Sequence, residues 1–171
     1  MGAEKSAKDA DFTAFVVSAT PELTRIAWYL TGDAEHAKEL VQASPVKTYM
    51  AWSRVRDGEA VAYTRRVMVN HRTDQWRRHR REVLSPDPTA ASSTEPNCPI
   101  DRSDLVGSLV SQLRALPLKQ RRVVVLRYYC DLSEKNVARE LGMSAGAVKN
   151  AAARGLAGLR QHTEAIKEWS T

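Results

Sequence analysis

Apolar residues recur every three or four positions along most of the chain. Leu23, Ile26 and Leu30 fall on one face of ELTRIAWYL, and Leu105, Leu109, Leu113 and Leu116 repeat the spacing further on. No segment alternates with the period of two expected of a strand, so the pattern predicts an all-α chain. A first helix is expected around Phe12 to Val17, and Pro21 then restarts the chain into the Leu23 face. Thr31-Gly32-Asp33 supplies a turn and a cap. A third helix follows in AEHAKELVQASPVKTYMAW, and a fourth runs from about Glu59 to Arg81. The second half predicts a helix before Pro117, another through QRRVVVLRYY, and then ARELGMSAGAVKNAAARG, an amphipathic pattern interrupted by Gly142, Met143 and Ser144. No internal repeat is visible.

Between the halves lies VLSPDPTAASSTEPNCPIDRSD, where Pro86, Pro88, Pro96 and Pro99 stand among Ser, Thr, Ala and Asp. That composition is expected of a flexible linker. The chain therefore divides into a tail at 1–10, a small helical domain at 11–84, a linker at 85–103 and a second small helical domain at 104–171.

Charge narrows the choice of partner. With 26 Lys and Arg against 20 Asp and Glu the net charge is +6, which favours an anionic partner such as nucleic acid or a membrane surface. Two cysteines, Cys98 and Cys130, cannot build a disulfide framework, and with four scattered histidines they lack the spacing of a zinc site. No apolar run approaches the roughly 18 residues of a membrane span, and MGAEKSAKDA lacks the apolar segment of a secretory signal. A cytoplasmic protein without membrane insertion is expected. No phosphate-cradling glycine loop or nucleophile motif is present, so neither catalysis, a cofactor nor a small-molecule substrate is expected.

The interrupted pattern fits a DNA-binding helix-turn-helix. Two short helices meeting at a steep angle need a corner residue that tolerates positive φ, and Gly142 provides it. Ala138 is the small residue where the helices touch, while Val137, Leu141, Met143 and Val148 occupy positions that must be apolar. Ser144 stands where the second helix wants its N-cap. On that helix Val148, Ala151, Ala152, Gly155 and Leu159 turn to the core, and Gly146, Ala147, Asn150, Ala153 and Arg154 turn outward. Small residues let the backbone approach a groove, Asn150 and Arg154 suit base edges, and Lys149 and Arg160 suit phosphates.

A second constellation lies in EAVAYTRRVMVNHRTDQWRRHRR. A 100° step puts Arg66, Asn70, Asp74, Arg77 and Arg81 in one outward stripe, with Ala60, Val61, Thr64, Val67, Met68, His71 and Gln75 inward. Tyr63 and Trp76 add aromatic surface on or near this basic face. Cations suit a phosphate backbone and aromatics suit an unstacked base, so single-stranded nucleic acid is a candidate ligand. A solvated basic helix end is the plainer alternative.

These two halves, in this order and joined by this linker, resemble a bacterial sigma factor of the extracytoplasmic-function class, in the two-domain form typical of actinobacteria. The resemblance covers about Asp11 to Arg160. It rests on LTGDAEHAKELVQ with KTYMAW, on AYTRRVMVNHRTDQWRR, and on LPLKQRRVVVLRYYCDLSEKNVARELGMSAGAVKNAAARGLAGLR. It implies a region 2 helical bundle and a region 4 helix-turn-helix. It further implies that Glu39, Leu40, Gln42 and Lys47 contact the clamp helices of the polymerase largest subunit. The loop at Ser53 to Gly58, with Tyr63, Arg66, Asn70, Asp74, Trp76, Arg77 and Arg81, would hold the melted minus-ten promoter strand, including a flipped base. Ser144, Ala147, Lys149, Asn150 and Arg154 would read the minus-thirty-five element. An anti-sigma factor is a further candidate partner.

Two residues depart from the resemblance. Lys38 stands where an acidic residue is usual, and Pro45 falls inside the polymerase-binding helix. Proline costs about 3 kcal/mol in a helix interior, so the helix is expected to kink at Ser44 or be rebuilt there. A helix-turn-helix regulator that never binds the polymerase therefore stands beside the sigma factor as the alternative.

Overall fold

The computed structural model describes the backbone of residues 2–55, 58–82 and 104–169, and the side chains of residues 4–55, 58–71 and 106–161. Helix is the regular structure throughout these residues. The linker at 85–103, Cys98 and the side chain of His79 lie outside them. Contacts divide the chain into two units, Met1–Ala27 with Glu35–Glu95, and Trp28–Ala34 with Pro96–Thr171.

Helix α1 runs Gly2–Thr31 with Pro21 inside it; its residues as far as Ala27 open the first unit, and Trp28–Thr31 belong to the second. Residues 2–10, read from sequence as a tail, are its first turns, and Pro21 does not restart the chain. Proline removes the amide that would bond the carbonyl four residues back. Here that carbonyl belongs to Val17, and both Val17 and Pro21 are exposed, so the missing bond falls on the solvent side of the helix. Hydroxyls bond back to the backbone in this part of the helix, Thr20 donating to the Val16 carbonyl at 2.6 Å and Thr24 to the Thr20 carbonyl at 2.8 Å.

Helix α2 spans Ala34–Met50 and also carries its proline internally, so helix continues past Ser44. Ser44 and Thr48 are fully buried on one side of it. The Thr48 hydroxyl lies 3.0 Å from the Ser44 carbonyl and 3.1 Å from the hydroxyl of Thr64 on α3, Ala60–Glu82. Thr64 donates in turn to the Ala60 carbonyl at 2.8 Å. Leu23, Ile26, Leu40, Met68 and Val69 form the apolar core around this polar link. Satisfied hydroxyls can sit in such a core at little cost.

The second unit holds α4, Asp104–Ala115, and α5, Leu118–Val124, which continues into a π turn over Val125–Tyr129. Helices α6, Glu134–Leu141, and α7, Ala145–Trp169, complete it. Both α5 and α6 pack on α7. Val110, Leu113, Leu116, Val123 to Leu126, Val137, Val148, Ala151 and Ala152 are buried, whereas Leu109 of the expected leucine stripe is partly exposed.

One cation closes two helix ends in this unit. The buried Arg121 donates to the Leu30 and Thr31 carbonyls at 3.4 and 2.9 Å, and to those of Arg114 and Leu116 at 2.8 and 3.3 Å. These are terminal carbonyls of α1 and α4, which lack partners within their own helices and favour a positive charge. Arg121→Ala is expected to lower stability by about 2–3 kcal/mol. Arg121→Lys should recover only part of it, because an ammonium cannot reproduce the planar fork. Denaturant unfolding of the two variants checks this.

Candidate nucleic-acid interface

The helix-turn-helix is built from local chemistry. Ser133 caps α6, its hydroxyl accepting the Asn136 amide at 3.2 Å. At the other end Gly142 adopts φ 62° and ψ 39°, a left-handed conformation that a Cβ would strain even though open space surrounds it. The Met143 amide then donates back to the Ala138 carbonyl at 2.9 Å. Ser144 caps α7, accepting the Ala147 amide at 3.2 Å. Val137 and Val148 are fully buried across the corner, so the two helices are pinned together as the sequence pattern requires.

Helix α7 presents the expected faces. Val148, Ala151, Ala152 and Gly155 are buried, while Ser144, Lys149, Asn150, Ala153 and Arg154 are exposed and Ala147 is half-exposed. A cleft of about 360 Å³ runs beside this outward face, lined by Pro117, Lys119, Gln120, Ala147, Asn150, Ala151 and Arg154. Lys119 and Gln120 are additions that sequence reasoning missed. Their neighbours lie some thirty positions away in the chain, and only the packing of α5 on α7 brings them together.

In the first unit, Arg66 and Asn70 are exposed on α3 and Tyr63 is half-exposed. Met68 and Thr64 face the core as predicted, and Arg65 turns inward with them, 8% exposed. The α3 backbone continues to Glu82, but the side chains of Asp74, Trp76, Arg77 and Arg81 lie outside the described residues.

A cavity of about 940 Å³ opens at the start of α3, lined on one side by Ala7, Lys8, Asp11, Ala14, Phe15 and Ser18 and on the other by Trp52, Ser53, Val55, Gly58, Ala60 and Val61. Its aromatic wall is part of a cluster. Phe15 and Trp52 stand with ring centroids 5.1 Å apart, and Phe12 contacts Tyr49 and Trp52 edge-on at 5.0 Å each. Trp52 Nε1 donates to Asp11 Oδ2 at 3.0 Å, the Tyr49 hydroxyl donates to Asp9, and Lys8 Nζ sits 4.5 Å from the Tyr49 ring centre. The hydrogen bond to Asp9, then desolvation and the carboxylate charge, raise the Tyr49 phenol above its usual range. The phenol thus stays protonated, and keeps this bond, to higher pH than a free tyrosine would.

On α2, Glu39, Gln42 and Lys47 are exposed as expected of a contact surface. Leu40 is not: at 2% exposure it is a core residue, and its assignment to that surface is corrected. The helical stripe of Glu39 and Gln42 instead continues to Val46 and Met50, which are 62% and 74% exposed. Hydropathy alone would send these two inward. Their position relative to the buried Leu40, Ser44 and Thr48 is the signal that reverses that expectation. Among the described residues no helix is long and apolar enough to cross a membrane, and no group of three or more His, Cys, Asp or Glu is placed to hold a metal ion.

The sigma-70 region 2 profile matches residues 15–82, and the sigma-70 region 4 profile matches residues 107–159. The RNA polymerase sigma-E factor of Streptomyces avermitilis is 39% identical over 159 residues, spanning 90% of this chain and 86% of that protein. The chain belongs to the extracytoplasmic-function sigma factors. The sigma-E factor of Streptomyces coelicolor is 37% identical over 156 residues, 88% of this chain and 85% of that one. Among solved structures, the sigma factor RpoE of Bartonella quintana, in complex with the anti-sigma factor NepR, shares the fold at a TM-score of 0.74 and 22% identity, covering 90% of this chain and 97% of that one. As a sigma factor the protein serves RNA polymerase in initiation, and the reading as a regulator independent of the polymerase is set aside. Sigma factors are initiation factors, not catalysts.

Proposed function

We propose that the unit carrying α3 docks on core RNA polymerase and captures the melted minus-ten strand, while the unit carrying α7 reads the minus-thirty-five element in the major groove. The observation that carries this is the exposed face of α7, where the Gly142 corner sets Asn150, Lys149 and Arg154 outward beside Lys119. Small residues on that face admit a groove, and the amide and guanidinium suit base edges. Supporting the minus-ten assignment, Arg66 and Asn70 stand exposed on α3, and the aromatic cavity opens at its amino end, where backbone amides favour phosphate. Bases taken up there would offset the cost of unpairing the duplex.

Purified protein added to core polymerase should yield open complexes on promoters selected from random sequence, protecting two unlike elements. Symmetric protection, or no open complex on any selected sequence, overturns the proposal. For the polymerase contact we assign Glu39, Gln42, Val46, Lys47 and Met50. Replacing both Val46 and Met50 by Asp should weaken core binding at least about tenfold in a pull-down, since it would bury two unpaired carboxylates in the contact. Thermal unfolding should stay unchanged, because neither side chain is buried. The structural relative bound to NepR supports an anti-sigma factor as a further partner of this chain.

A further inference from the structure

We infer that the first turns of α1, which precede the region 2 match, select the base admitted to the cavity at Trp52, with Asp11 as the residue that discriminates. This rests on the capture of a minus-ten base in the first unit.

The region 2 profile begins at residue 15, yet Ala7, Lys8, Asp11 and Ala14 line the cavity ahead of that point. They recur at helical spacing on one face of α1, together with Phe15 and Ser18. Trp52, Ser53, Val55 and Gly58, within the matched region, thus line the cavity together with four residues that precede it. At about 940 Å³ the space is in the range that takes a whole organic ligand. Phe15 and Trp52 offer ring surfaces on which a planar base can stack, and stacking tolerates every base. Discrimination must therefore come from the polar groups of the wall.

Asp11 is the informative one. Its Oδ2 accepts the Trp52 indole N–H, which fixes the ring and the carboxylate relative to each other. Asp11 lines the cavity, and its carboxylate offers acceptors and no donor. An acceptor-only group pairs with the exocyclic amino group of adenine, cytosine or guanine, whereas thymine has no amino group and offers only an N3–H flanked by two carbonyl oxygens that it repels. Lys8, also on the wall, supplies a donor for the ring acceptor beside that amino group. The ligand class is thus an unstacked amino-bearing base. Discrimination by one such contact amounts to roughly ten- to a hundredfold.

The test uses the full chain with core polymerase and promoters carrying each of the four bases in turn at every non-template minus-ten position. Wild type should disfavour thymine about tenfold or more against the three amino-bearing bases at one position. Asp11→Asn keeps a carbonyl to accept from Trp52 and turns an amide donor to the cavity, so it should abolish or reverse the preference at that position alone. Lys8→Ala should weaken the preference without reversing it. Asp11 is exposed, so the melting temperature of Asp11→Asn should match wild type. If wild type opens promoters and Asp11→Asn leaves every base preference unchanged, the inference is overturned while the captured-base reading stands. If wild type opens no promoter with purified polymerase, that reading fails and this inference with it.

Discussion

Gly155→Leu is expected to destabilise the DNA-reading unit by about 3 kcal/mol, a large share of the roughly 5–15 kcal/mol typical of a domain. At Gly155 a Cβ would stand 2.5 Å from Val124 Cγ2 and 3.5 Å from the Gln120 carbonyl oxygen. Val124 is 5% exposed on α5, and a β-branched side chain in a helix has essentially one χ1 rotamer, so it cannot step aside. The helices would have to move apart. Because α5 carries Gln120 and α7 carries Asn150 and Arg154, their separation would also spoil the cleft that these residues line. Gly158 provides the contrast within the same helix. A Cβ there meets only Leu116 Cδ2, at 2.7 Å, the end of a side chain with two rotatable bonds. Gly158→Ala should therefore be near neutral, its helix-propensity gain of about 1 kcal/mol offsetting the adjustment, whereas Gly155→Ala should already be destabilising. Denaturant unfolding of the three variants separates these outcomes. A Gly155→Leu protein as stable as wild type would remove close α5–α7 packing as the role of this glycine.

The helix-turn-helix was legible because its requirements are local. Corner, cap and apolar positions fall at fixed spacings within some twenty residues; Gly142, Ser144, Val137 and Val148 take those places in the structure, while Leu141 and Met143 are only half-buried. Helix order was legible for the same reason, since 3.6-residue periodicity survives in sequence wherever one face is buried.

The two prolines misled because a proline rule is an average over buried and exposed positions. Pro21 loses its bond on the solvent side of a 30-residue helix, and Pro45 sits within α2 where the neighbouring Ser44 and Thr48 are locked into the core. At Pro45 tertiary packing outweighed local propensity. Leu40 against Val46 and Met50 is a matter of phase. Sequence marks all three as apolar, and only the neighbours of α2 decide which side is inward. The cavity wall and the Lys119 cleft were illegible for a different reason: each joins segments far apart in the chain, and no spacing rule connects them.

The largest functional effect is expected from Asn150→Ala with Arg154→Ala, which should cost at least about 3 kcal/mol, or over a hundredfold, in binding to the minus-thirty-five element. Both side chains are exposed one turn apart on α7, so neither contributes to the core, and the double variant should unfold like wild type. Each lost base contact is worth about 1–3 kcal/mol and should relax preference at its own base pair. Lys149→Ala should behave differently. An ammonium beside the base-reading face neutralises a phosphate without reading sequence, so its loss should weaken binding evenly across sequences and lower the salt slope by about one. Affinity measured at several salt concentrations, on the selected element and on scrambled duplex, distinguishes the two classes. If the double variant loses affinity equally for both duplexes, Asn150 and Arg154 are phosphate contacts, and the base-reading face must lie elsewhere, with Gln120 across the cleft as the next candidate.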